Sequence, residues 1–559
     1  MSTAGDLTVV IPTIGRWDVL RRTLDALAHQ TAQGHEVVVV VDGADLAAPP
    51  DLRAERVLRV PHGGPGAARN AGVAAGRRPL VLFLGDDMIP TPGLVAHHVA
   101  EHDRHPEDHV AVLGLVEWHP EVADDPLAEW LEWSGAQFDY LNLGREPTDD
   151  AGFGRFYSCN VSLKRALLER ARGFDESFGY FYEDLDAGRR FAQAGMVLRY
   201  QPAALAQHHH RYDWDGVVAR FRGIAAGEMR MAERHEWFEP FFRARVEAAA
   251  AQRPSNGAWV RLARRLPPGP LRDVARGEAN AWYLQRLAEP FLDAWWAEQD
   301  LAELQRYLGD DFDAAKLASH GALVEAEERA ATDERAFYRS SQAYLYDLTA
   351  FAMSGTKRPY LRDLRTLVPP GASILDHGCG IGADGLRLAE LGYRVAFADF
   401  DNPSTAYLRW RLAQRGIDTE VYDVEGHVPG GFDAVVSFDV IEHVADPVEY
   451  LRELESRGGL VVLNLLEPRP GDTHLHHELP VARLLERARR RGLVHHRRYH
   501  GRSHLVAYRG DGGSRVSAVR SRLEHVAGAG LGDRAPLGAG RRRRLGQLRR
   551  AAAVIAGRR

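Results

Sequence analysis

Ile374-Leu375-Asp376-His377-Gly378-Cys379-Gly380-Ile381-Gly382 reads as a short apolar strand that ends on an acidic residue and turns through alternating glycines. Lacking a Cβ, glycine lets a turn bring its backbone close to a ligand. A helix is predicted from Asp384 to Leu391, a strand over Arg394 to Ala398, a helix around Thr405 to Arg415, and strands at Ala434 to Phe438 and Leu460 to Leu463. This alternation predicts an α/β domain whose ligand crevice lies at the C-terminal ends of its strands.

The same rhythm occupies the N-terminal part of the chain. Strand-like runs at Leu7 to Ile11, Glu36 to Val41 and Leu80 to Leu84 alternate with helical stretches around Val19 to His29 and Ala67 to Ala75. From about Trp237 to Phe351 strand-like runs give way to Ala, Leu, Arg and Glu with many aromatics, the texture of a helical connector. After about Arg509 the chain is rich in Gly, Ser, Ala and Arg. The expected division is therefore 1–240, an α/β domain; 241–340, a helical connector; 341–509, a second α/β domain; and 510–559, a basic tail. A length of 559 residues exceeds what one core organises, and no short repeat suggests a solenoid.

Bulk properties exclude several classes. A net charge of -6 with 45% hydrophobic residues argues against both a globally basic nucleic-acid binder and a disordered acidic chain. Two cysteines, Cys159 and Cys379, make neither a disulfide framework nor a cysteine-rich zinc site. The N-terminal residues lack the pattern of a secretory signal, and apolar runs such as Val37 to Val41 are far shorter than a membrane span. The expectation is a cytoplasmic protein.

Acidic residues fall where the first crevice should lie. Asp42 closes the run Glu36 to Val41, and the adjacent Asp86 and Asp87 follow Val81 to Leu84, a placement suited to a divalent cation that neutralises a diphosphate. Further on, Glu183, Asp184 and Asp186 precede a helix, and one of them is a candidate general base.

With these pieces in order, residues 6 to 240 resemble the family 2 inverting glycosyltransferases of the GT-A fold. The matching segments are Val9 to Thr13, Val41 to Asp45, Gly66 to Gly72, Phe83 to Asp87, Gly173 to Phe178 and Glu183 to Asp186. The resemblance implies that Pro12 and Thr13 line a nucleotide pocket, that Asp42 meets the base or ribose, and that Arg69 helps bind a nucleotide-sugar. It assigns Mn²⁺ or Mg²⁺ on the diphosphate to Asp87 with Asp86, and deprotonation of the acceptor hydroxyl to Asp184, beside Glu183. The chain departs from the family's paired Asp after the second strand, here Val41-Asp42, and from its Asp-x-Asp, here Gly85-Asp86-Asp87. His208, in the run His208 to His210, is either a further metal ligand or a packing histidine.

In the second half, Asp399 ends a strand and offers a carboxylate to ribose hydroxyls, while Asp423 is placed to meet an adenine amino group; Asp401 competes with Asp399 for the first role. The segment Asp439-Val440-Ile441-Glu442-His443 follows the next strand. Residues 340 to 509 thus look like a class I S-adenosylmethionine (SAM)-dependent methyltransferase, of Rossmann-like fold. The resemblance assigns Asp376, Gly378, Gly380 and Gly382 to the SAM loop, Asp399 to the ribose and Asp423 to the adenine. His443 is either a base or a packing group beneath that loop. His474, His476 and His477 either join Glu442 and His443 around a metal or are loop histidines.

Taken together, the resemblances imply a bifunctional enzyme: inverting transfer from a nucleotide-sugar to a glycan or lipid-linked glycan, and O-methylation of a sugar or related acceptor, in cell-surface polysaccharide biosynthesis. The alternatives are a small-molecule or protein acceptor, or a scaffold with one inactive domain. The segment from Gly114 to Tyr157, with Trp118, Trp130 and Trp133, either shapes the acceptor cleft or belongs to the core. The Arg541 to Arg544 tail either lies on an anionic membrane as a peripheral contact or is simply solvated.

Overall fold

A computed structural model describes residues 3–43, 46–469 and 476–511. The chain forms two compact units, 1–294 and 295–559. The segment 241–340 is helical wherever it is ordered into elements, but it is not a separate connector, since its residues up to Ala294 belong to the first unit and those from Trp295 to the second.

In the first unit the strands are β1 (Leu7–Thr13), β2 (Glu36–Asp42), β3 (Arg56–Val60), β4 (Leu80–Leu84), β5 (Met88–Pro90), β6 (Val110–Trp118), β7 (Asn160–Lys164) and β8 (Val197–His208). They form one sheet in the order β3-β2-β1-β4-β7-β6-β8-β5. The first four are parallel, and β7 runs antiparallel to both β4 and β6. Val37 to Val41 of β2 are all buried, the continuous apolar run of a strand covered on both faces. On β3, at the sheet edge, burial alternates. Helix Trp17–Ala28 covers one face through Leu20, Leu24 and Leu27, spaced along one helical stripe. Helix Gly64–Ala75 comes close enough that a Cβ at Gly72 would collide with Val10.

The second unit holds β9 (Ser373–His377), β10 (Arg394–Asp399), β11 (Val421–Asp423), β12 (Phe432–Ser437), β13 (Gly458–Leu466), β14 (Leu493–Tyr499) and β15 (Ser503–Arg509). Their order is β11-β10-β9-β12-β13-β15-β14; β15 is antiparallel to both its neighbours, while the other pairings are parallel. The chain order reverses between β10-β9 and β12, which opens a crevice at their carboxyl ends. Asp300 and Glu303, from helix Pro270–Leu308, are fully buried against Arg387, Arg411 and Arg415, with Arg411 Nε 2.6 Å from Glu303 Oε2 and Arg415 Nε 2.8 Å from its Oε1.

No helix among the described residues is long and apolar enough to cross a membrane. Asp45, His474 and the Arg541 to Arg544 tail lie outside the described residues.

Candidate functional site

The first crevice is built at the carboxyl edge of β1, β2 and β4. Asp86 and Asp87 occupy the tight turn between β4 and β5, closed by the Met88 amide donating to Gly85 O at 3.2 Å. Adjacent residues in this turn face different partners. Asp86 accepts from Thr13 Oγ1 at 2.7 Å and from the Arg16 guanidinium, which ties it back to β1. Asp87 faces His208 Nε2 at 3.3 Å and His210 Nδ1 at 3.4 Å, with Arg16 Nη1 at 2.8 Å. Burial would raise both carboxyls. For Asp87 the imidazoles of His208 and His210 and the Arg16 guanidinium overcome it and hold the carboxyl well below its usual value. For Asp86 burial and its neighbour Asp87 prevail, and its pKa is raised.

His208 arrives here because β8 pairs with both β5 and β6, setting it opposite Met88 and Trp118. Trp118 stacks on its ring, with centroids 4.8 Å apart and planes 16° from parallel. Asp87, His208 and His210 bring one oxygen and two nitrogens together at one point. That mixed set suits Mn²⁺ better than Mg²⁺, which prefers an all-oxygen shell. Sequence reasoning singled out His208 and missed His210 and Arg16; the spacing of His208 and His210, two positions apart on an extended chain and therefore on one face, was the available signal.

Pro12 and Thr13 end β1 beside this turn. The Asp42 carboxylate, at the end of β2, accepts the amides of Gly63 at 2.8 Å and Gly64 at 3.0 Å, so it secures the start of helix Gly64–Ala75. That helix carries the buried Arg69, whose Nη1 donates to Glu183 Oε1 at 2.9 Å and whose guanidinium lies over Phe174.

Glu183 and Asp184 open helix Glu183–Gln193, entered through Phe181 and Tyr182 at φ 67° and 70°. Left-handed backbone at non-glycine residues costs about 1–3 kcal/mol each. Tyr182 is held there by its hydroxyl donating to the buried Glu228 at 2.9 Å. Asp184 lines a cavity of about 850 Å³ with Arg69, Trp133, Tyr157 and Arg220. Burial, with the Glu183 charge beside it, pushes its carboxyl up to about 7. Of the tryptophans, Trp133 lines this cavity and Trp118 backs His208, whereas Trp130 is core, stacked on Tyr283 and bonded through Nε1 to Asn280 at 3.0 Å.

The second crevice is made largely of backbone. Gly378, Gly380 and Gly382 all have positive φ, at 76°, 54° and 71°. A Cβ at Gly380 would lie 2.8 Å from Leu348 Cδ1. Asp376 is buried at the base of the loop and accepts the Gly385 amide at 3.0 Å; burial and the Asp384 charge push it up to about 7. Asp399 accepts the Gly380 amide at 2.6 Å and the Phe400 amide at 2.7 Å. Asp423 is level with Asp399 in the β10–β11 register. The exposed Asp401 pairs with Arg409, leaving Asp399 at the loop.

Beside the loop, Leu348, Phe351 and Lys357 wall a cavity of about 500 Å³ that also holds Asp439, Glu442, His443 and His476. Glu442 is buried, and that burial with the Asp439 charge pushes it up to about 8. His443 Nδ1 lies 2.8 Å from Tyr338 Oη, and its ring centroid is 4.8 Å from that of His476. Glu442, His443 and His476 form a second cluster with metal-ligand geometry, and His477 meets it through its backbone amide, which donates to Glu442 O at 2.7 Å. Burial drives the Cys379 thiol upward, away from the reactive thiolate.

Residues 8–162 match the family model for glycosyl transferase family 2, and residues 375–457 match a methyltransferase domain model. Over 235 residues the chain is 32% identical to the pre-mycofactocin glycosyltransferase of Mycobacterium tuberculosis, covering 40% of this chain and 47% of that one. It is 31% identical over 222 residues to the validoxylamine A glucosyltransferase of Streptomyces hygroscopicus, covering 34% and 52%. Further along, 117 residues are 37% identical to the ubiquinone biosynthesis O-methyltransferase of a Ruegeria species, covering 20% and 47%. The chain spans about half the length of the curated relatives it matches.

Proposed function

From a chain that joins a family 2 glycosyltransferase domain to a methyltransferase domain, we infer a bifunctional enzyme that transfers a sugar from a nucleotide-sugar to a hydroxyl, with inversion, and O-methylates a sugar or related acceptor with SAM. The observation that carries the reading is Asp184, a carboxyl poised near neutrality on the wall of a large cavity, in the same unit as the Asp87, His208 and His210 donor set.

In the first unit Asp184 accepts the proton of the acceptor hydroxyl as its oxygen bonds to the anomeric carbon and the bond from that carbon to the diphosphate breaks. Asp87, His208 and His210 would hold Mn²⁺ or Mg²⁺, which supplies positive charge for the leaving diphosphate. Arg69 keeps Glu183 paired, so that Asp184 is the carboxyl left for the proton. Thr13 and Arg16 fix Asp86 and thereby the turn that presents Asp87.

In the second unit the glycine turn leaves the space that a bulky donor needs, with Asp399 toward its ribose and Asp423 toward its adenine. SAM would supply an electrophilic methyl group. His443, its ring held by Tyr338, is the base that takes the acceptor proton; Glu442, raised to about 8, stays protonated at neutral pH and does not compete.

A glycan, free or lipid-linked, in cell-surface polysaccharide biosynthesis is the acceptor we favour. The names of the glycosyltransferase relatives support a second reading, in which a hydroxylated small molecule takes its place. Calorimetric titration of the full chain with a nucleotide-sugar panel plus Mn²⁺, and with SAM, tests the assignment. One nucleotide-sugar should bind wild type and fail with Asp87→Ala, while SAM binds both. Absence of binding by either donor would overturn the two-enzyme reading.

A further inference from the structure

The cavity around Asp184 is lined by the arginines Arg69, Arg220 and Arg245 and the carboxylates Asp139, Glu183 and Asp184. Among its charged walls, Arg69 is matched by Glu183 at 2.9 Å, and Asp139 by Arg155 at 2.6 Å. Arg220, from helix Trp214–Arg234, and Arg245, from helix Phe241–Ala250, have no carboxylate partner among the described residues. Their guanidinium groups instead reach one turn, where Arg245 Nη2 donates to Ser134 O at 3.1 Å and Arg220 Nη2 to Ala136 O at 3.4 Å, and lie over aromatic rings, Arg220 over Phe181 and Arg245 over Phe241 and Phe242. These carbonyls flank Gly135, so at most about 7 Å of chain separates the two anchor points. The Arg220 Nε is buried and has no partner.

Asp87, His208 and His210 are not among the cavity's lining residues, and Asp87→Ala separates binding at this pair from binding of a diphosphate. The lining is apolar as well: Leu141, Tyr180 and Phe241, which are 59%, 62% and 56% exposed, all belong to it. Exposed apolar side chains beside two guanidinium groups match a ligand with an apolar body and an anionic group.

We propose that Arg220 and Arg245 bind the phosphate or carboxylate of an amphipathic acceptor whose apolar part rests on Leu141, Tyr180 and Phe241. This rests on the assignment of Asp184 to the acceptor side. Each guanidinium, released from a carbonyl to a charged oxygen, gains a charge-assisted hydrogen bond in a partly desolvated wall. The acceptor hydroxyl is then presented to Asp184 by a contact made away from the reacting atoms.

The test is calorimetry on the full chain with phenyl phosphate, phenylacetate and benzyl alcohol as probes. At least one anionic probe should bind wild type and Asp87→Ala alike, and about tenfold more tightly than benzyl alcohol does. Arg220→Gln/Arg245→Gln should weaken the anion about tenfold or more, Arg220→Lys/Arg245→Lys should restore part of it, and an unchanged melting transition of the first unit in scanning calorimetry should report an intact fold in both. Preference for phenyl phosphate identifies a phosphate-bearing acceptor, and preference for phenylacetate a carboxylate-bearing one. Failure of both anions to bind, equal affinity for benzyl alcohol, unchanged affinity in the glutamine variant, or loss in Asp87→Ala would each overturn the proposal. Because the probes need no donor, absence of nucleotide-sugar binding would break the glycosyltransferase reading separately.

Discussion

The two crevices occupy the same place in their sheets, the carboxyl ends of parallel strands, yet they are made of different material. In the first, side chains carry the site: Asp86, Asp87, Arg16, His208 and His210 form a cluster of opposed charges gathered from the turn after β4, the residue before helix Trp17–Ala28 and the end of β8. In the second, the backbone carries it: three glycines at positive φ and amides that donate to Asp376 and Asp399. A site of side chains is lost by removing an atom, whereas a site of backbone is lost by adding one.

The largest expected effect follows from the first half of that contrast. Asp184→Asn should lower sugar transfer by about 10²–10⁴-fold while leaving SAM affinity unchanged, read as nucleoside diphosphate release and by calorimetry. If transfer survived, the base would have to be sought elsewhere on the cavity wall. The second half predicts that Gly380→Arg, which fills the turn, abolishes SAM binding with nucleotide-sugar binding intact. Equal loss of both would mean that the substitution acts through folding.

Charge also has a structural use in the second unit, where it is buried and paired. Removing one partner strands the others, so Asp300→Ala should destabilise that unit by about 3–5 kcal/mol, visible by scanning calorimetry as a shift in the transition that SAM protects. A smaller effect concerns pH. With Asp184 raised to about 7, the active ionised base is lost as pH falls, so kcat/KM for sugar transfer should drop about tenfold per unit below that value. The slope should vanish in Asp184→Asn. Smallest of all, Trp118→Leu removes a ring stacked on His208, a contact worth about 0.5–1.5 kcal/mol, and should weaken Mn²⁺ binding a few-fold.

This contrast also explains what could be read from the chain. The glycine turn is contiguous, so Asp376 to Gly382 stood out as a unit, and the buried runs of β1, β2 and β4 declared themselves by their unbroken apolar stretches. The side-chain site is assembled from distant segments. Asp87 and His208 were visible as residue types, but Arg16 resembled any helix-start arginine, and nothing local announced that it would meet Asp86 across 70 positions. Strands β3, β5, β6, β7 and β8 were missed because they lack the unbroken apolar runs of β1, β2 and β4: β3 alternates at the sheet edge, β5 has three residues, and the others interleave with loops. The boundary at Ala294 was equally hidden, since it falls within the continuous helix Pro270–Leu308.

Arg16 has one further consequence. Its guanidinium already bridges Asp86 and Asp87, so a metal ion reaching Asp87 enters by exchange with a cation rather than by capture at bare carboxylates. The displaced guanidinium then seeks an anion, and the diphosphate that accompanies the metal is the nearest group able to serve. On the proposed metal assignment, metal and donor would be thermodynamically coupled, each raising the affinity of the other by the same factor.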